Sequence, residues 1–273
     1  MITASIILYN TNESLIRTIL KCADESCIEQ IFVIDNSAKD YLKKMVLSLS
    51  QKIIYIHGQG NVGYGAGHNI ALRQALVKGA TYHVVLNPDI QFEKGTIEIL
   101  KQFAETHDNI GMVMPHVVYP DGSEQYLCKL LPTPIDILGR RFFPKKIMKK
   151  RNERYEMRLT GYNNIRNVPC LSGCFMFLNM EIIKKIGLFD DRFFMYFEDF
   201  DLIRRLHQVS QTVFYPKLTI VHNHTREHST NKKLLKISIR SAILYFNKWG
   251  WFFDSERRKW NKSAFDDNNI IMD

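Results

Sequence analysis

Two hydrophobic patterns alternate over the first 110 residues. Short continuous apolar runs, "ASIILY" (4–9), "IFVID" (31–35), "KIIYIHG" (52–58) and "YHVVLN" (82–87), are rich in the β-branched residues that favour extended chain. Between them apolar residues recur at helical spacing, which predicts helices over 13–24, 41–49, 66–78 and 95–106. Thr11 or Asn12 stands ready to cap the first of these. Strands that are apolar on both faces and alternate with helices predict an α/β fold. The expected form is a Rossmann-like, mostly parallel sheet covered by helices. After Gly111 the rhythm changes. "VVYPDGSEQY" predicts a hairpin with Asp121-Gly122 at its turn, and 132–158 a basic helical segment with a loop. A strand is expected over 170–179, a short helix after it, a helix over 198–209, a strand over 212–216 and a long helix over 232–253.

In a parallel sheet, ligands bind beyond the carboxyl ends of the strands. Those ends read Tyr9-Asn10, Asp35-Asn36-Ser37, the segment "GQGNVGYGAGHN" (58–69) and Asn87-Pro88-Asp89. The glycine segment allows close backbone approach to a phosphate or sugar, and a helix follows at once with its free N–H groups. It lacks the GK[ST] of a P-loop, and its G-x-G-x-G stands in the third βα turn, where a dinucleotide fingerprint does not belong. In "LNPD" the proline holds Asn87 extended, so Asn87 and Asp89 project together. An amide oxygen and a carboxylate make half a site for Mg²⁺ or Mn²⁺, the rest coming from phosphates and water. The plainer reading is an Asx-turn capping the next helix.

Downstream, Glu198 and Asp199 open a helix behind four aromatic residues (Phe193, Phe194, Tyr196, Phe197) that would exclude water. Capping and general-base readings compete there. Asp201, three and four residues before Arg204 and Arg205, reads as an ion-pair partner. "TIVHNHTREHST" places His222, His224 and His228 after a strand, which suits a metal or a phosphate as well as a surface loop.

Charge changes the picture next. The net charge is +9, concentrated in two blocks: residues 129–166 hold 11 basic and 3 acidic side chains, and 226–262 hold 10 and 3. Such blocks favour anionic partners. No helix-turn-helix, zinc finger or RNA-recognition motif accompanies them, which argues against a nucleic-acid-binding protein. Five cysteines without a CxxC pair read as free thiols of a reducing cytoplasm. "MITASIILYN" reads as a first strand and not a signal peptide, and no apolar run has the length of a membrane span.

Together these stretches resemble the inverting nucleotide-sugar glycosyltransferases of family two, fold type A, and within it the bacterial rhamnosyltransferases of cell-surface polysaccharide synthesis. The residues that carry it are "IILYN", "VIDNS", "GNVGYGAGHNIAL", "LNPD", "SGCFMFLN", "GLFDDRFFMYFEDFDLIRRL" and "IVHNHTREHST", in the family's order over four-fifths of the chain. The resemblance implies a transferase domain over 1–230, with a donor-binding half (1–115) and an acceptor-binding half (116–230), and a C-terminal helical extension over 231–273. It implies a dTDP- or UDP-sugar donor, L-rhamnose being the first choice, and a glycan or lipid-diphosphate-linked acceptor. Tyr9, Asn10, Asp35, Asn61, Gly63, Gly67, Asn69 and Asn87 would line the donor, with Asp35 on the pyrimidine base. Asp89 and His222 would hold Mg²⁺ or Mn²⁺, with His224 a competitor of His222. Asp199 would be the catalytic base. Asn87 departs from the family's Asp-x-Asp and leaves one carboxylate fewer at the metal.

The last helix adds one expectation. Leu235, Ile239, Ala242, Phe246, Trp249 and Phe253 form a narrow apolar stripe, with Lys232, Lys233, Lys236 and Arg240 mostly off it. Core packing is the first reading of that stripe. Rest on the inner leaflet of the cell membrane is the second.

Overall fold

The computed structural model describes residues 1–224 and 232–272. A nine-stranded sheet forms its middle. Its first half is built from β1 (Ile2–Leu8), β2 (Gln30–Asp35), β3 (Ile53–His57) and β4 (Tyr82–Leu86), all parallel, in the order β3-β2-β1-β4. Every residue of β1 and β4 is buried, as their continuous apolar sequences require of strands covered on both faces. The connecting helices are α1 (Glu13–Asp24), α2 (Lys43–Leu49) and α3 (Tyr64–Val77). Asn12 caps α1 by accepting the Ser14 N–H at 2.8 Å.

Beyond β4 the directions mix. β8 (Phe175–Asn179) runs antiparallel to β4 and to β6 (Ile110–Val118), and β6 pairs in parallel with the long β9 (Gln211–His222). Two-residue strands β5 (Ile90–Gln91) and β7 (Arg166–Asn167) pair antiparallel to β9. The sheet is therefore parallel through its first four strands and mixed after them. α4 (Thr96–Thr106), α7 (Met180–Ile186) and α8 (Glu198–Val209) complete the covering layers.

Several elements differ from the sequence pattern. The strand expected over 170–179 starts only at Phe175, because Gly173 lies against Asp199: a Cβ there would stand 2.9 Å from the Asp199 Cβ. The Asp121-Gly122 turn forms, with Tyr119 N–H donating to Ser123 O at 2.8 Å, but its arms pair only through an isolated bridge. The basic segment folds as two helices, α5 (Pro134–Phe142) and α6 (Lys145–Tyr155). The last long helix, α9 (Lys232–Trp249), stops short of Phe253 where Gly250 turns the chain at φ +98°, and α10 (Ser255–Ser263) follows.

The buried face of α9 is Ser241, Ala242, Tyr245 and Phe246; Ala242 and Phe246 belong to the expected stripe and Trp249 packs against the same cluster, whereas Ile239 and Phe253 are 42% and 87% exposed. The periodicity missed two core positions that carry polar atoms. One of them, Ser241, donates to Met195 O at 2.8 Å. Phe193, Phe197, Ala242, Tyr245 and Phe246 form a second hydrophobic cluster beside the main core. A buried bidentate pair, Arg204 to Asp254 at 2.7 and 2.8 Å, ties α8 to the start of α10. The sequence had suggested Asp201 as an ion-pair partner, and it does pair with Arg205 at 3.0 Å.

Candidate active site

The site begins where β4 ends. The Asn87 N–H still donates to Cys174 O at 2.9 Å, continuing the ladder, and then Pro88 stops it. The chain turns, and β5 pairs with β9 so that Ile90 stands opposite His222. That pairing brings Asp89 to His222 across more than 130 residues of sequence: Nε2 lies 3.4 Å from Oδ1. The other ring nitrogen, Nδ1, lies 3.0 Å from Gln125 Oε1, while Gln125 Nε2 donates to His222 O at 2.8 Å. Gln125 thus fixes the ring with Nε2 facing Asp89, the arrangement that orients a metal-binding imidazole. Burial lowers the His222 pKa, but Cys174 and Asp89 beside it raise it more, to about 10. Burial works the other way on Asp89, and the His222 contact outweighs it and holds the carboxyl below its ordinary range.

Donor atoms of Asp89, His222 and His224 all lie within 4.8 Å of one another. The choice between the two histidines therefore dissolves, since both reach the same point. His228 lies outside the described residues. Two imidazoles and a carboxylate fit a divalent cation.

Tyr64, at the start of α3, links this cluster to the other half of the site. Its hydroxyl is 2.9 Å from Asn87 Oδ1 and 2.7 Å from Gly173 O. One phenolic proton serves only one acceptor. Both contacts become good hydrogen bonds when the Asn87 amide presents its NH₂ to Tyr64 and its oxygen to the His222 side, where the other amide atom stands 3.5 Å from Nε2. In that orientation Asn87 supplies an oxygen toward the cation cluster, taking the place of the absent carboxylate.

Gly173 continues the link, its N–H donating to Asp199 Oδ2 at 3.0 Å. Asp199 opens α8, with Oδ1 accepting the Phe200 N–H at 2.9 Å. Burial raises its pKa, against the pull of Lys129 and these N–H groups. Glu198 is more deeply buried, and burial followed by the Asp199 charge pushes its pKa well above the usual carboxylate range. Of the two neighbours Glu198 is pushed further toward the neutral acid, while Lys129 and the two N–H groups favour the charged form of Asp199. The backbone that aims Asp199 is strained: Tyr196 and Phe197 both adopt left-handed φ, +70° and +67°. For bulky residues this costs on the order of 1–3 kcal/mol each and persists only where packing enforces it. Here Phe197 is wedged in the α9 cluster and Met195 O is held by Ser241.

Toward β2, Asp35 is fully buried, with the Ser37 N–H on Oδ1 at 2.9 Å and the Tyr55 hydroxyl on Oδ2. Asn36 joins it to the glycine segment by donating to Gly63 O at 3.1 Å. Tyr9 is 54% exposed at the rim, and Asn10, at φ +51°, donates its N–H to Ser37 Oγ. Asn61 holds the loop by accepting the Gly63 N–H at 3.2 Å. Gly63, at φ +91°, has no room for a Cβ, which would lie 2.1 Å from Phe194 O; at Gly67 it would meet Ile7 at 2.9 Å. These two buried glycines, expected to line the donor, make room for neighbouring protein. Asn69 does not join the cleft: buried, it donates to Phe189 O at 2.8 Å and accepts the Phe189 N–H at 3.0 Å, clamping the loop before α8. Sequence reasoning passed over Gln125; Tyr64 and Cys174 lay inside the singled-out glycine and "SGCFMFLN" segments without being named.

Residues 3–187 match the family described as "Glycosyl transferase family 2". The chain belongs to that family. Relatives agree with this: over 218 residues it is 27% identical to the N-acetylglucosaminyl-diphospho-decaprenol L-rhamnosyltransferase of Mycobacterium tuberculosis, covering 74% of this chain and 68% of that protein. Among solved structures, S. aureus TarS superposes with a TM-score of 0.60 at 14% identity, over 97% of this chain and 42% of that one. A GalNAc-T7 structure with UDP, GalNAc and Mn²⁺ gives 0.62 at 14%, over 96% and 54%. These last two speak for the fold alone, a type A glycosyltransferase fold. The family match stops at residue 187, so Asp199, His222 and His224 lie past its end.

One expectation for this family 2 enzyme follows from the Tyr64 bridge. Tyr64→Phe removes one hydroxyl between Asn87 and Gly173, a net loss of about 0.5–1.5 kcal/mol. Transfer is expected to fall about two- to tenfold, and half-activation to need more Mn²⁺. Steady-state rates across a Mn²⁺ titration check this, and an unchanged titration would assign Tyr64 to packing.

Proposed function

We propose that the protein is an inverting, cation-assisted glycosyltransferase. It moves a sugar, with L-rhamnose from dTDP-rhamnose as the best reading, to a hydroxyl of a glycan or lipid-diphosphate-linked saccharide in cell-surface polysaccharide synthesis. The observation that carries this reading is the apposition of Asp199 and the Asp89–His222–His224 cluster, joined through Gly173, Tyr64 and Asn87.

Asp89, His222 and His224 would hold the cation, with the Asn87 oxygen beside them. When bound, the cation neutralises charge that develops on a departing diphosphate. Asp199 accepts the proton of the acceptor hydroxyl as that oxygen attacks the anomeric carbon. The bond to the diphosphate breaks on the opposite face, so one displacement inverts the centre without an enzymic nucleophile. Glu198 stays neutral behind Asp199, and the aromatic cluster of Phe193 and Phe197 limits water. Asp35, Asn36 and the 58–69 segment form the side of the cleft suited to the nucleoside.

A thermal-shift panel of dTDP-rhamnose, UDP-galactose and UDP-N-acetylglucosamine, each with and without Mn²⁺, tests the donor. A Mn²⁺-dependent rise in Tm with dTDP-rhamnose alone is the expected outcome. The same rise with a UDP-sugar alone replaces the donor and leaves the reaction class intact.

A further inference from the structure

The turn after α9 displays two adjacent phenylalanines to solvent: Phe252 and Phe253 are 70% and 87% exposed. The turn is not a loose loop. Gly250 takes a φ of +98°, and a Cβ there would stand 2.6 Å from Phe253 O. Arg257, 4% exposed, donates to Gly250 O at 3.1 Å, Trp251 O at 3.0 Å and Pro132 O at 3.2 Å. One buried guanidinium thus ties the phenylalanine turn to the entry of α5. Asn261 of α10 adds a two-way amide pair with Leu131, its Nδ2 donating to Leu131 O and its Oδ1 accepting the Leu131 N–H, both at 2.8 Å.

The unit so assembled carries further exposed apolar groups on α5 and its exit: Ile135 52%, Leu138 41%, Phe143 55% and Ile147 70%. Exposed cations flank them, Lys146, Lys149 and Lys150 on α6 and Arg258, Lys259 and Lys262 on α10. Most acids of these elements are engaged, Glu153 of α6 being the exception: Asp136 pairs with Arg151, Glu156 with Arg158, and Asp254 and Glu256 with Arg204. Large apolar side chains on a rigid turn, in a unit that also carries exposed lysines and arginines, suit a surface that is apolar within and anionic at its edge. Among the described residues no helix is long and apolar enough to cross a membrane.

We propose that the 250–254 turn together with α5, α6 and α10 is a docking surface for an anionic lipid bilayer, with Phe252 and Phe253 entering the headgroup boundary. This moves the membrane contact away from Lys232, Lys233 and Lys236 at the other end of α9. It deepens the proposed reading, in which the acceptor is lipid-linked, and rests on it only for the reason to be at a membrane.

The test is sedimentation of the full chain with phosphatidylcholine vesicles, with and without phosphatidylglycerol, in the absence of donor and acceptor. Co-sedimentation that needs phosphatidylglycerol and weakens with salt is expected. Phe252→Ser with Phe253→Ser should reduce it about tenfold or more, and Lys146→Glu with Lys149→Glu and Lys150→Glu should do likewise. Both variants should keep the parent's Tm and its response to nucleotide sugar, since none of these side chains touches the site. Wild-type protein left in the supernatant, or a serine double variant that binds as well as wild type, overturns the proposal. So does a dimer that the serine variant dissolves, for then a second copy covers the face. Vesicle binding is read without catalysis, so its failure leaves the transferase reading standing, and a failed donor panel leaves docking standing.

Discussion

Asp199→Asn is expected to lower turnover about 10²–10⁴-fold, the usual contribution of a positioned general base, while the Kd for the nucleotide sugar stays within about twofold of wild type. The amide has the same shape and its oxygen can still accept the Gly173 or Phe200 N–H, so α8 and the 172–174 loop keep their places. What it loses is the ability to take a proton. Glu198 is a poor substitute, because it is buried and burial pushes its pKa well up. The same geometry fixes the sign of the pH dependence. Burial raises the Asp199 pKa, so the acid limb of kcat/KM should lie above the ordinary carboxylate range, with activity falling as pH falls through it. Single-turnover rates and isothermal titration of donor measure the two parts separately. Full turnover in the variant would leave Asp199 as nothing more than the first-turn acid of a helix.

The second large effect concerns the cation. Removing it with a chelator, or replacing Asp89 by asparagine, is expected to reduce transfer by a factor of at least about 10², since stabilising a leaving diphosphate is worth several kcal/mol. Asp89→Asn is preferable to alanine. It keeps the volume at the β5 turn while removing the one carboxylate among the three side chains that could hold a cation. Mn²⁺ should restore the chelated wild type fully and the variant only at higher concentration. Mn²⁺ titrations of activity, paired with Tm shifts on adding Mn²⁺ alone, separate a lost cation site from a misfolded one. Undiminished transfer in the presence of chelator would remove the cation from the proposed reaction.

Much of this was legible in the residues. Continuous apolar strands predicted a covered parallel sheet, and its four strand ends pointed to the residues worth reading. Periodicity failed where tertiary partners, and not local pattern, decide the structure. β5 and β7 are two residues each and exist because β9 offers an edge. Gln125 gained its place from a hairpin whose arms barely pair, and Asn69, polar and in a glycine-rich turn, looked like a ligand when it is a clamp on Phe189. Half of the buried face of α9, Ala242 and Phe246, was legible, while Ser241, which hydrogen-bonds within it, was not.

The left-handed pair Tyr196-Phe197 carries a lesson for anyone recombining such chains. Its conformation is enforced from α9, some fifty positions downstream and outside the stretch by which the family is recognised. Grafting residues 1–224 onto a different member's tail would transplant the acid but not the vice that keeps it on target. Chimeras should therefore be cut so that 193–200 and 241–246 always travel together.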